Sequence, residues 1–380
     1  KIWRSYDTLF HNILPSVVRQ YHKEVDYWGS SPSASEGLPE EYTHGDTHYW
    51  GVWWGKEPFQ NFNSKISSFM SEYGFQSFPE YASFKKYAEK QDRNIYSEVM
   101  KAHQRSSIGN ATVEEYMNRS FRKPSGFESE LYMSQLLQAD GIQMGIEAHR
   151  RNKDRCMGSL YWQLNDCWPG ASWSSIDYYG KWKALHYKVK ESFAPVIVSY
   201  EFVEDDLKIT VVSDLNTPYR GELKITLSEF KDIEKIISWN QKVNLAPNES
   251  KVVLTIPKDG LPKAKNQLYT YLQLALRDEN GIRASKNVYF KPLKELVLPR
   301  PNLSFEAEYD KSNVLYLTVK SDYFAKGVHV TCDGDQNFSE NFFDLPINGK
   351  KTVSIQLDPL SDVDAIINSI QVRSLWNSMR

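Results

Sequence analysis

The spacing of apolar residues changes character at residue 195. Upstream, stretches with helical recurrence alternate with short apolar runs. Trp3, Tyr6, Phe10, Ile13 and Val17 recur at three- and four-residue steps, which predicts an opening helix interrupted near Pro15. Residues 25–29 read as a short strand, followed by a loop over 30–47 that begins with Ser-Pro-Ser turn chemistry. The run 69–75, rich in Phe, Met and Tyr and closed off by Pro79, predicts another strand. Helices are expected around 84–104 and 113–117. A long one is expected over 128–151, with Leu131, Leu136, Ile142 and Ile146 roughly along one face. Residues 157–164 form the next predicted strand and 182–192 a closing helix. Strands alternating with helices predict an α/β architecture with parallel strands.

Downstream the helical recurrence fades. Short alternating runs at 196–203, 207–212, 221–227, 251–256 and 268–277 are separated by turn signals such as Ala-Pro-Asn-Glu and Asp-Glu-Asn-Gly, the pattern of an antiparallel β-sandwich. A linker rich in proline at 296–301 precedes a second set of strands at 302–309, 314–319, 327–331 and 352–356. The expected division is therefore 1–194, 195–297 and 298–380. A complete (β/α)8 barrel takes about 250 residues, so 194 residues with long loops correspond to its C-terminal half. The expected fold class is α/β plus all-β: half a barrel followed by two immunoglobulin-like sandwiches.

Size and charge narrow the function. A chain of 380 residues fits two to four domains. The net charge of −2 gives no basic field, which argues against a nucleic-acid partner. No stretch of eighteen apolar residues occurs, so no membrane span is expected. No metal-ligand spacing or phosphate-binding loop appears, and no cofactor or metal is implied. The 11 Trp and 23 Tyr suit a sugar site, because rings stack on the apolar faces of pyranoses. Most of them are expected simply to fill cores. Cys156, Cys167 and Cys332 are too few for a disulfide framework. The chain opens Lys1-Ile2-Trp3 inside a predicted helix, without Met or signal peptide, so it reads as a piece of a longer polypeptide.

Candidate chemistry gathers in four clusters. Residues 69–79 place Glu72 beside Tyr73 among strand formers. Gly45-Asp46-Thr47-His48-Tyr49-Trp50 and Val52-Trp53-Trp54-Gly55 precede it, and Tyr161-Trp162-Gln163-Leu164-Asn165-Asp166 follows. A lone strand-end glutamate usually does no more than reach water. Retaining glycosidases, however, need two carboxyl groups about 5–5.5 Å apart, one attacking the anomeric carbon and one protonating the leaving oxygen. The attacking group must be ionised, which calls for hydrogen-bond donors around it; Tyr73 and His48 are candidates.

Together these clusters resemble the family 2 glycoside hydrolases, most closely the β-mannosidases. The resemblance implies that Glu72 is the nucleophile at the end of the seventh barrel strand. It implies that Asp46, His48 and Trp50 lie in a motif on the preceding segment, and that Trp162 floors the sugar subsite from the eighth strand. Trp54 stands where a histidine is expected. The family's acid/base glutamate follows an Asn on the fourth strand. Glu24, Glu36, Glu40, Glu41 and Glu57 precede Glu72, and none follows an Asn. The acid/base is therefore expected upstream of this chain, which alone should be inactive. The implied activity is a retaining exo-β-mannosidase, with a β-mannoside oligosaccharide and the upstream half of the polypeptide as partners. A secreted, periplasmic or lysosomal setting is expected for the whole protein. The alternatives are a β-galactosidase or β-glucuronidase type, or a non-catalytic carbohydrate-binding or scaffold protein.

Overall fold

Three parallel strands lie side by side: β1 (Thr47–His48), β2 (Phe69–Glu72) and β3 (Gly158–Ser159), with β2 in the middle. The computed structural model describes residues 1–33, 42–232, 237–263, 265–334 and 336–380. Glu36, Glu40 and Glu41 lie outside the described residues, as does the 34–41 part of the loop expected at 30–47. Register pairs His48 with Glu72, and Met70 with Ser159. The two predicted strands at 69–75 and 157–164 are both shorter than expected. Beyond Glu72 and Ser159 the regular ladder gives way to isolated backbone bonds, such as Trp162 N to the Tyr73 carbonyl, supplemented by side chains.

Two expectations fail outright. Residues 25–29 form bends and irregular chain rather than a strand. Pro15 does not interrupt the opening helix. Helical residues run Ile2–Asp7, Thr8–Ile13 and Leu14–Tyr21, the middle segment in wide i→i+5 turns. Pro15 directly follows the wide-turn segment, so its missing N–H falls where the helical hydrogen-bond spacing changes.

The helix Phe127–Arg151 organises the remainder. It is buried over most of its circumference, not along one stripe, because it has neighbours on every side. Leu131, Leu136, Leu137, Ile142 and Ile146 pack with Trp53, Phe62, Met70, Tyr73, Phe75 and Phe78. Each such side chain contributes roughly 1.5–3 kcal/mol on burial. The helix's polar residues satisfy the backbone that β2 gives up on leaving the sheet. Gln138 Nε2 donates to the Phe75 carbonyl at 2.8 Å, and Ser134 Oγ accepts from Phe78 N at 3.0 Å. At its C-terminal end Arg150 donates to Asp214, Arg151 to Ser199 and Asn63, and Glu147 accepts from Lys286. Near its start Tyr132 donates to the Gly327 carbonyl at 2.6 Å. One helix thus touches all three parts of the molecule.

After Ser192 the chain is antiparallel. Strands β4 (Val196–Val203), β5 (Asp206–Ser213) and β8 (Ser250–Ile256) form one sheet. It faces a second made of β6 (Tyr219–Glu229), β7 (Ile237–Leu245), β9 (Thr270–Asp278) and β10 (Gly281–Tyr289), ordered β10-β9-β6-β7. Their core is Leu207, Ile209, Val211, Leu223, Ile225, Leu272, Leu274 and Leu276. A second sandwich pairs β11 (Leu303–Tyr309), β12 (Val314–Ser321) and β15 (Lys350–Gln356) against β13 (Ala325–Thr331), β14 (Phe343–Leu345) and β16 (Gln371–Arg373). Leu315, Leu317, Val319, Val328, Val330, Val353 and Ile355 fill it. The architecture is an α/β segment followed by all-β layers. None of the described helices is long and apolar enough to cross a membrane.

Candidate active site

Parallel strands present their C-terminal ends on one side, and His48 and Glu72 sit there as register partners. The Glu72 carboxylate is held by one oxygen. Its Oε2 accepts from Trp50 Nε1 at 3.1 Å and lies 3.2 Å from His48 Nδ1. No described group bonds its Oε1. The side chain keeps about a quarter of its surface (26%) exposed, so a ligand can reach it.

His48 is set in turn. Its Nε2 lies 3.1 Å from Ser31 Oγ, which donates to Asp46 Oδ2 at 2.5 Å. Ser71 Oγ also donates to Asp46 Oδ2, and Ser33 N to Oδ1. Partial burial would push the Asp46 carboxyl up; these donors from Ser31, Ser71 and Ser33 outweigh it and hold the group down at about 2. Asp46 is therefore an ionised anchor and unsuited to proton donation near neutral pH. Glu57, the other nearby carboxylate, is taken up by Tyr49 Oη at 2.5 Å and Asn61 Nδ2 at 2.7 Å.

Tyr73 requires a correction. Adjacent residues of a strand point to opposite faces, so with Glu72 outward Tyr73 points inward. It is fully buried against Phe62 and His149, and its hydroxyl bonds Ser159 Oγ at 2.8 Å. Ser159 also meets His149 Nδ1 at 2.8 Å. Burial, with Arg151 nearby, pushes His149 down to about 3 and keeps it neutral. Tyr73 is a core residue and not a donor to Glu72. Trp54 also stands apart: it is exposed, and its ring lies edge-on to Trp53.

Trp162 joins the group through the backbone. Its N–H donates to the Tyr73 carbonyl at 2.8 Å, and 44% of the residue is exposed. The loop after it is tied by Asp166, which accepts from Gln163 Nε2, Ser172 Oγ and Ser174 Oγ. Beneath, the fully buried Lys183 donates to the Ser77 and Ser172 carbonyls. Burial pushes its ammonium down to about 8.

Sequence reasoning missed Ser31, Ser71, Gly74 and Trp173. Trp173 packs edge-on to Trp50, with centroids 6.2 Å apart, and to Trp53 at 5.6 Å. Its only signal was an aromatic residue in a Pro-Gly-Ala-Ser loop eleven residues after Trp162. Among the described residues no three His, Cys, Asp or Glu side chains form a metal-ligand set, and the three cysteines are free.

The chain is similar to several known proteins. Residues 205–295 match a family described as a mannosidase Ig/CBM-like domain, and residues 298–378 a mannosidase Ig-fold domain. β-Mannosidase B of Aspergillus niger is 30% identical over 275 residues, covering 67% of this chain and 32% of that protein. β-Mannosidase B of Aspergillus terreus is 30% identical over 53% of this chain and 25% of its own length. The chain thus spans about a third or less of the curated relatives it matches. The crystal structure of β-D-mannosidase from Dictyoglomus thermophilum superposes with a TM-score of 0.87 at 24% identity, over 98% of this chain and 45% of that one. The exo-chitosanase CsxA of Amycolatopsis orientalis gives 0.65 at 13% identity, over 88% and 45%. These two structures are alike in fold.

Proposed function

We propose that this chain, which resembles the C-terminal portion of the β-mannosidases of glycoside hydrolase family 2, supplies the nucleophile side of a retaining exo-β-mannosidase site. In this reading residues 1–194 are the C-terminal half of a (β/α)8 barrel, and 195–297 and 298–380 are its two Ig-like sandwiches. The observation that carries the reading is the state of Glu72. It ends a parallel strand, has one oxygen pinned by Trp50 and His48, and leaves the other open toward solvent.

A carboxylate so placed can attack the anomeric carbon of a terminal β-mannoside. The new C1–O bond forms as the glycosidic bond breaks, and the leaving oxygen takes its proton from an acid outside this chain. Water then attacks C1 of the glycosyl-enzyme, giving its proton to the same upstream group now acting as base, and the C1–O bond to Glu72 breaks to return the carboxylate. Trp162 is the platform under the sugar ring. Its exposed face and its tie to the strand carrying Glu72 support that role. Asp46 and His48 orient the nucleophile, and Asp46, ionised and fully bonded, leaves the proton-donor role to an upstream residue.

The test is Glu72→Gln in the full-length protein, assayed on aryl β-mannoside, β-galactoside and β-glucuronide. Turnover of the mannoside should fall by at least about a thousandfold, since shape is kept and the attacking charge is lost. A variant retaining more than a few per cent of wild-type kcat would remove Glu72 from the role. Preference for galactoside or glucuronide would reassign the sugar.

A further inference from the structure

Two residues after Glu72, the backbone passes through a space with no room for a side chain. A Cβ on Gly74 would lie 2.3 Å from the Trp162 carbonyl oxygen, 3.1 Å from Trp50 Cη2 and 3.2 Å from Trp173 Cδ1. The first of these neighbours is backbone and cannot swing aside. The other two are rings already fixed by further contacts. Trp50 begins a tight turn, with Trp53 N and Trp54 N both bonded to its carbonyl. Trp173 is wedged edge-on against buried Trp53, and its carbonyl accepts from Gln163 N at 3.1 Å.

We propose that Gly74 and Trp173 are positioning residues for Glu72, acting through Trp50. The inference rests on the assignment of Glu72 as nucleophile. Trp50 reaches Glu72 with the pyrrole edge of its indole, while the opposite corner of the same ring, Cη2, lies over Gly74. A rigid bicyclic ring cannot move one corner without moving the other. The Nε1–Oε2 distance of 3.1 Å is already close to the ~3.2 Å upper end of N–H···O bonds. A shift of a few tenths of an ångström at Cη2 therefore loosens the bond at Nε1. Trp173 also packs edge-on against Trp50, with its ring at 81° to the indole, and so restricts how far the indole can turn.

The arrangement also accounts for a buried polar atom. The Trp173 Nε1–H is buried and has no hydrogen-bond partner among the described residues. Leaving such a donor unpaired is unfavourable, and phenylalanine would avoid it. What only the larger indole offers is simultaneous contact with Trp50, Trp53 and Gly74. Neither residue touches the reacting atoms, so neither is catalytic.

The experiment uses the full-length protein and 2-deoxy-2-fluoro-β-D-mannosyl fluoride, which reports the nucleophile's first step alone. Glu72 forms a bond to C1 as the C1–F bond breaks and fluoride leaves, and the 2-fluoro sugar stays attached. Gly74→Ala, with wild-type melting temperature, should lower the inactivation rate constant about 10- to 100-fold, the range for one hydrogen bond to a charged group. For Trp173→Phe the inhibitor's binding constant and the substrate KM should stay within about threefold, because that change leaves the Trp162 backbone untouched; Gly74→Ala, whose Cβ meets the Trp162 carbonyl oxygen, should raise both as well as lower the rate constant. Trp173→Phe, the milder change, should lower the same rate constant about three- to tenfold. It decides the matter if Gly74→Ala does not fold. A folded variant that labels at the wild-type rate, or one whose loss is confined to KM and binding, overturns the inference. Glu72→Gln is the parallel control. If it still labels, the nucleophile assignment has failed; if it is inert while Gly74→Ala reacts normally, only the positioning inference falls.

Discussion

The region around Glu72 and the sandwich that begins at Val196 hold their backbones by opposite means. In the sandwich, strands of seven to eleven residues pair along their length, and β6 alone makes nine register pairs with β7 and eight with β9. Around Glu72 the strands have two to four residues. There Gln138, Ser134, Asp166, Lys183 and a set of tryptophans bond and brace the chain. A ladder is insensitive to which polar side chains decorate it. A backbone held by individual side chains can be re-aimed by changing one of them, which suits a place where a carboxylate must be set to within a fraction of an ångström. The same choice makes the site region the more vulnerable part.

The contrast can be broken or sharpened by experiment. The largest effect concerns completeness. The isolated chain of 380 residues should release no phenol from an aryl β-mannoside above a Glu72→Ala control, because Asp46 and Glu57, described carboxylates of this region, are both committed to other partners. Glu72-dependent turnover by the isolated chain would place a proton donor within it after all.

Next comes Trp53→Ala. Trp53 is fully buried and touches Trp54, Phe75 and Trp173, so its loss should cost about 3–5 kcal/mol. Near-UV circular dichroism, dominated by the tryptophans of the site region, should collapse while the β-sheet signal persists. Equal loss of both would mean that the ladders depend on the site region as much as the reverse.

The smallest effect is one of pH. Lys183 is buried, and its ammonium is pushed down to about 8 from an ordinary 10.5. The unfolded chain then binds more protons than the folded one between those values, so this group makes stability rise with pH across that window. The cost of the buried charge is fully present below about 8. Denaturant titrations from pH 7.5 to 10.5 should show a rising contribution in the wild type that Lys183→Met lacks. An identical pH dependence in both proteins would exclude this account of Lys183.

Legibility followed the same divide. Strand 196–203 is read from sequence to the residue, because a run of β-branched and aromatic residues follows directly on Pro195 and ends at an acidic turn. Of the four strands overlooked in the sandwiches, Ile237–Leu245 and Gly281–Tyr289 are edge strands with few buried side chains, so alternation is almost absent, and Phe343–Leu345 and Gln371–Arg373 are only three residues long. In the site region Glu72, His48 and Trp50 were found by motif and come together. Tyr73 was misread because adjacency along the chain was taken for adjacency in the site, where period two forbids it. Trp173 and Gly74 matter through contacts made across a hundred residues, and no local pattern encodes those.

One earlier feature bears on how small a working enzyme of this kind can be made. The helix Phe127–Arg151 braces the Glu72 strand from beneath with Gln138 and Ser134, and its two ends are anchored in different sandwiches. A truncation that stops after the closing helix Ala184–Ser192 would remove Asp214 from Arg150, Ser199 from Arg151 and Lys286 from Glu147. It would also take away Gly327, which receives the Tyr132 hydroxyl. Both tethers of the beam would be cut while the chain carrying Glu72 stayed intact. A shortened chain would therefore need new partners at both ends of this helix, and the shortest length that keeps Glu72 braced is set by the helix's anchors and not by the last residue beside Glu72.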